Sequence, residues 1–297
     1  MDSLGMGSGF IAAGFQSLAY LTSRWFLRRS GGTPLQLLGI SHLMMGAVAV
    51  LLFPLLASPT MPPLSAYFFK GLGAIGFYLV AQLGLFMALR HADSSRIAPL
   101  LGLKIFFLAL VSVSFLHLHL NGWQWMAVAL SGAAVFLLNE SGGRLSGAAV
   151  TAVAVTVVGY SLSDLFIKQL VVALEPAGPR APLIGVCVTY IMGGVTGIPL
   201  TLRGASWRPR LWGMAAPYAL AWFLSMLFLY VTFDRIGVVF GNIIQSTRGL
   251  MSIGLGLVVG RALGMVDLET HVSHGVLARR VAGAVLMTSA IALYLIR

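Results

Sequence analysis

Residues 236–259 read IGVVFGNIIQSTRGLMSIGLGLVV, and residues 97–116 read IAPLLGLKIFFLALVSVSFL. Each run is long and apolar enough to cross a bilayer as a helix, which takes about 20 residues. Each also contains one cation, Arg248 in the first and Lys104 in the second. A charge near the bilayer centre costs roughly 2.5–3.5 kcal/mol on insertion scales. The two cations stand 144 residues apart in a chain of 297, so each is about equally far into its own half. Two such charges at matching places predict a binding site between two related halves.

The composition agrees with a membrane solvent. The chain is 58% hydrophobic and 9% charged, with a mean hydropathy of +0.92. A soluble domain carries about 25% charged residues. The apolar runs are continuous rather than alternating, which excludes a β-barrel reading. The expected fold class is an all-α polytopic membrane protein. Asp2 and the lack of a basic stretch before the first apolar run predict no cleaved leader. One cysteine, Cys187, excludes an intramolecular disulfide and a cysteine metal site. The net charge of +11 is spread over short loops without a basic arm, so it argues for membrane sidedness rather than nucleic acid.

Ten transmembrane spans are predicted, at about 5–27, 34–57, 65–89, 94–117, 122–140, 147–171, 181–202, 211–233, 237–260 and 276–296. Turn-rich linkers join them, such as SGGTP at 30–34 and EPAGPRAP at 175–182. The spans form two five-helix repeats, residues 1–143 and 144–297. GFQSLA at 14–19 matches GYSLSD at 159–164, an offset of 145, while the two cation runs align at 144. Five spans per half is an odd number, so the second half enters the membrane inverted.

The architecture, the first-span GFQS passage and MALRHADSSRIAPL at 87–100 together resemble the drug/metabolite transporter superfamily, EamA-type branch. The resemblance covers essentially the whole chain. It implies a ten-helix transporter of a small metabolite in a bacterial inner membrane, working as a monomer or homodimer without a cofactor. One departure is local. Members of the branch usually carry a glutamate just after the fourth span, whereas residues 116–122 here read LHLHLNG, with no acid. The plastid sugar-phosphate translocators of the same superfamily also place basic residues on helices four and nine, and Lys104 and Arg248 are similar in placement.

Sidedness follows from the loops. Twelve arginines border the ends of spans 1, 3, 5, 7 and 9: Arg24, Arg28, Arg29, Arg90, Arg96, Arg144, Arg203, Arg208, Arg210, Arg261, Arg279 and Arg280. Lys70, Lys168, Arg180, Arg235 and Arg297 lie on the other side. Positive-inside counting therefore places both termini outside, whereas the family habit is cytoplasmic termini.

Arg248 leads the candidate site. On a continuous helix Gly241, Gln245, Arg248 and Ser252 share a stripe, with Asn242 and Thr247 beside it, and such a lane should face a cavity. The planar guanidinium suits a carboxylate or phosphate. Lys104 sits among apolar neighbours, with Pro99 able to bend its span. Each cation also has a structural reading, as partner to an acid or to backbone carbonyls. Asp164, the one acid inside a span, is expected to pair with Lys168 four residues on; if it does, both central cations lack a counter-charge and an anionic ligand supplies one. Asp164 is also the candidate for proton coupling. Gln16, Tyr20, Gln82, Tyr160, Tyr190 and Trp222 are candidate cavity linings, with packing as the alternative role of each. His42 reads as hydrogen-bonded structure, His117 and His119 lack a third ligand, and the His271 and His274 loop reads as surface, so no metal is expected.

No Walker sequence, glycine-rich phosphate loop or nucleophile elbow is present, which excludes ATP-driven pumping by this chain and argues against an enzyme. The function expected is secondary transport of an anionic or zwitterionic metabolite. The alternatives are an exporter of neutral or amphipathic solutes such as amino acids or drugs, with structural cations, and a non-transporting assembly subunit. The partners expected are a small solute and the lipid bilayer.

Overall fold

A computed structural model describes residues 2–91, 101–115, 117–137, 146–202, 207–248, 251, 255 and 274–296. Among them every regular element is helical. The first three helices are α1 (Ser3–Arg29), α2 (Pro34–Leu56) and α3 (Leu64–His91). A short 3-10 turn, Leu101–Leu103, leads into α4 (Lys104–Phe115), and α5 (Gly122–Leu137) follows. Next come α6 (Gly147–Ala173), a 3-10 connection at Glu175–Arg180, α7 (Ala181–Leu202) and α8 (Pro209–Ile236). The chain then forms α9 (Val238–Gln245) and α10 (His274–Tyr294).

Local chemistry sets several of these ends. Asp2 accepts a hydrogen bond from the Gly5 amide at 3.0 Å and caps α1. Thr33 and Gln36 form a reciprocal capping box ahead of Pro34. Ser146 caps α6 through the Ala149 amide. Gly237, at φ 78°, turns the chain between α8 and α9, a conformation that side chains disfavour.

Among the described residues five helical stretches are long and apolar enough to cross a membrane: Pro34–Leu56, Leu64–Leu85, Gly147–Ala173, Glu175–Leu202 and Pro209–Ile236. Their outward residues are large and apolar. Leu51, Leu55 and Phe69 are 73–74% exposed, and Val195, Leu202 and Leu220 are more than 60% exposed. Such a surface is stable against lipid and not against water. The chain is therefore a multi-pass integral membrane protein.

Four helix pairs carry most of the packing: α1 with α8, α2 with α7, α3 with α6 and α5 with α10. Small residues allow two of these approaches. A Cβ on Gly46 of α2 would lie 2.8 Å from the Gly194 Cα of α7, and one on Gly159 of α6 would lie 3.0 Å from the Phe77 carbonyl of α3. Gly197 also packs on α2, against the Gly39 carbonyl. Side chains pin the crossings. Ser163 donates to the Ala74 carbonyl at 2.7 Å and Ser225 to the Ala12 carbonyl at 3.1 Å. The α8 helix packs on both α1 and α6, and the site lies along these contacts.

Candidate functional site

Helical periodicity assembles the site. On α1, Gln16 and Tyr20 are one turn apart; on α6, Tyr160, Ser163, Asp164 and Ile167 share a face; on α8, Trp222, Met226 and Leu229 do the same. With Tyr78 of α3, Lys104 and Arg248, these side chains line one cavity of about 40 Å³. That is room for about three waters. The two cations of the apolar runs therefore meet in a single space.

Each cation sits at a break in helical structure. Lys104 is the first residue of α4, directly after the 3-10 turn at Leu101–Leu103. Arg248 follows the end of α9 at Gln245 and a turn at Ser246 and Thr247. The two breaks fall at the same offset of 144 residues. This departs from the expected continuous polar lane on α9. Gln245 turns away to α1, donating to the Gly9 carbonyl at 3.1 Å, and its Oε1 has no partner among the described residues. Ser252 lies outside the described residues.

The surroundings of Lys104 close on themselves. Its Nζ lies 2.8 Å from Asp164 Oδ2, with both side chains nearly buried. The Asn242 amide donates to the same oxygen at 2.8 Å and to the Val238 carbonyl at 2.9 Å. The ammonium also stands 5.7 Å from the centre of the Tyr160 ring, within the range of a cation–π contact. The expected pairing of Asp164 with Lys168 is therefore corrected. Lys168 reaches across to α8 instead, donating to the Asp234 carbonyl at 3.1 Å, with the Asp234 carboxylate 3.9 Å away. An i,i+4 spacing permits a pair without requiring it, and Asp164 already has two stronger partners inside the bundle.

Arg248 is held differently. Its Nη1 donates to Gln16 Oε1 at 2.8 Å, and its guanidinium stands 5.8 Å from the centre of the Tyr20 ring. Both partners are uncharged, and no carboxylate among the described residues pairs with it. Among the described residues the cavity walls therefore hold two cations and one acid, an excess of one positive charge.

The partners of the two cations stand in register. Lys104 meets Tyr160 and Asp164; Arg248 meets Gln16 and Tyr20, each 144 residues earlier. The main chain repeats the pattern. Ser17 donates to the Arg248 carbonyl at 2.9 Å, and Ser161 donates to the Lys104 carbonyl at 3.4 Å. The offset is 144, one residue from the 145 at which the glycines of GFQSLA and GYSLSD align. Matching one glycine is a weak signal, and a slip of one residue turns a helix face by about 100°.

Other candidate residues stand behind the wall. Gln82 donates to the Tyr78 hydroxyl at 2.9 Å, and the Trp222 indole donates to the Tyr190 hydroxyl at 2.8 Å. Gln82, Tyr190 and Asn242 thus brace residues that line the space. His42 Nδ1 lies 2.8 Å from the Leu38 carbonyl, in keeping with a structural role. Tyr78 and Ser163 are lining residues that sequence reasoning missed. Tyr78 lies one turn before Gln82 on α3, and that spacing was the available signal. A separate, larger groove of about 750 Å³ has Lys70, Lys168, Gln169 and Val172 among its walls. Among the described residues no group of three metal-ligating side chains occurs.

No family model and no curated protein matches the sequence. Solved structures do match, 27 chains in all. One crystal structure of a protein is similar over 99% of this chain and 96% of its own, with a TM-score of 0.73 and 14% sequence identity. A likeness at that identity concerns the fold alone: this chain shares the whole course of a fold already seen in crystals.

Proposed function

We propose that this protein is a secondary transporter of a small organic anion, built as two inverted five-helix repeats of the drug/metabolite transporter kind. The single observation that carries the reading is the shared cavity in which Arg248, without a carboxylate partner among the described residues, faces the neutralised Lys104. An intramembrane cation is retained at a cost, and an anionic solute offsets it. Guanidinium geometry suits a carboxylate.

The packing supports two related halves. Exchanging α1 for α6, α2 for α7, α3 for α8, α4 for α9 and α5 for α10 turns the α1–α8 pair into the α6–α3 pair. The α2–α7 and α5–α10 pairs map onto themselves. The serine bonds to the two cation carbonyls obey the same exchange. Sites between repeats, at broken helices, are where rocking of one half against the other alternates access.

The test is uptake of radiolabelled organic anions into proteoliposomes. Wild type should accumulate one of them, and Arg248→Gln should not; equal uptake by both removes Arg248 from the site. A neutral-solute exporter with structural cations is the second reading, favoured by the aromatic walls of Tyr20, Tyr78, Tyr160 and Trp222. Under that reading Arg248→Gln leaves transport intact. A non-transporting assembly subunit has no evident need for a charged cavity, and purification of the chain with a stoichiometric partner would favour it. We place the protein in a bacterial inner membrane with both termini outside, and a reporter fused after Arg297 reads the side directly.

A further inference from the structure

We infer that the transported ligand carries one net negative charge, and that Asp164, standing where the other half has Tyr20, is the residue that sets that charge. The inference rests on the proposed transport reading.

The charges of the site stand on a near-symmetric frame. Positions 16 and 20 around Arg248 correspond to positions 160 and 164 around Lys104. Three of these four partners are uncharged, and one is a carboxylate. Had both halves carried Tyr at the later position, the cavity would hold two uncompensated cations and suit a dianion. Had both carried Asp, it would be neutral and have no use for an anion. The chain has one of each. The Asn242 amide fixes the carboxylate on the Lys104 side, so the surplus charge stays with Arg248. A monoanion makes the cavity neutral. A zwitterion leaves the surplus in place, and a dianion reverses its sign, each at a cost in a low-dielectric interior.

Four probes of similar size differ chiefly in charge: propionate, malonate, alanine and propionamide. Binding of each to the detergent-purified protein is read by thermal melting and by calorimetric titration, near neutral pH and at fixed ionic strength. Wild type should bind propionate at least about tenfold more tightly than the other three. Asp164→Asn should reverse the order in favour of malonate. Tyr20→Asp should abolish propionate binding, and Tyr20→Phe should keep it. If Asp164→Asn does not fold, the two Tyr20 variants carry the test alone. Wild-type preference for malonate or alanine, an unchanged order in Asp164→Asn, or retained propionate binding in Tyr20→Asp overturns the inference. Failure of the transport reading looks different: wild type binds none of the four, or Arg248→Gln binds propionate as wild type does. Loss of binding in Arg248→Gln with an unchanged order in Asp164→Asn removes the charge-setting role alone.

Discussion

Lys104 and Arg248 occupy equivalent places and live in different company. Lys104 has a carboxylate at 2.8 Å, held by a second donor. Arg248 has an amide oxygen and an aromatic face. The frame around them is alike down to the serine that grips each main-chain carbonyl. The contacts around each cation recur at an offset of 144 residues, and of the two unlike pairs, Gln16 with Tyr160 and Tyr20 with Asp164, only the second differs in charge. Lys104 contributes to the architecture as one member of a salt bridge. Arg248 has no carboxylate partner among the described residues, and in the proposed function a ligand supplies its counter-charge.

The most damaging way to break this comparison is to remove the acid. Asp164→Ala leaves a buried ammonium unpaired, and loss of one partner of a buried pair costs about 3–5 kcal/mol. A large fall in melting temperature in detergent is expected. Joint replacement, Lys104→Met with Asp164→Leu, should be much milder than the single change, because no charge is stranded. Equal losses in the single and double variants would separate Lys104 from Asp164.

Arg248→Gln comes first on binding rather than on stability. It should lower the melting temperature little, since its partners are uncharged and can bond the new amide. It should nonetheless remove stabilisation by propionate. A melting temperature that falls as far as in Asp164→Ala would mean that Arg248 has a structural counter-charge.

Asn242→Ala removes one donor from a charged acceptor, worth about 1.5–3 kcal/mol. Its effect should vanish in the Lys104→Met/Asp164→Leu background, where the carboxylate is gone. Persistence there would make Asn242 a packing residue instead of a positioning one.

The mildest changes sharpen the symmetry itself. Ser17→Ala and Ser161→Ala each delete one bond to a cation carbonyl and should each cost about 1 kcal/mol. Closely similar values by thermal melting support equivalent roles, whereas a measurable loss in only one confines the grip to that half.

Much of this was legible in the residues. The apolar runs and turn-rich linkers foretold the helices, because lipid demands continuous apolar surface and backbone groups satisfied within the helix. Lys104 and Arg248 announced a shared cavity, because each breaks that rule at the same offset. What escaped was decided by reach across the bundle. Lys168 stands one turn from Asp164, yet it points to Asp234 on α8. Gln245 shares a stripe with Arg248 on a continuous helix, yet the turn at Ser246 and Thr247 swings the two apart. A long flexible side chain or a local helix break changes a partner without changing the hydrophobic pattern. Tyr78 was missed for a simpler reason: a tyrosine in a span reads as packing until a neighbour such as Gln82 shows which way its face points.

The central claim is that the surplus positive charge belongs to Arg248 and not to Lys104. Calorimetric titration of propionate into wild type, Arg248→Gln and the Lys104→Met/Asp164→Leu double variant tests it most directly. The double variant should keep the wild-type affinity within about threefold, and Arg248→Gln should lose at least about tenfold. Loss of binding in the double variant with retention in Arg248→Gln would contradict the account.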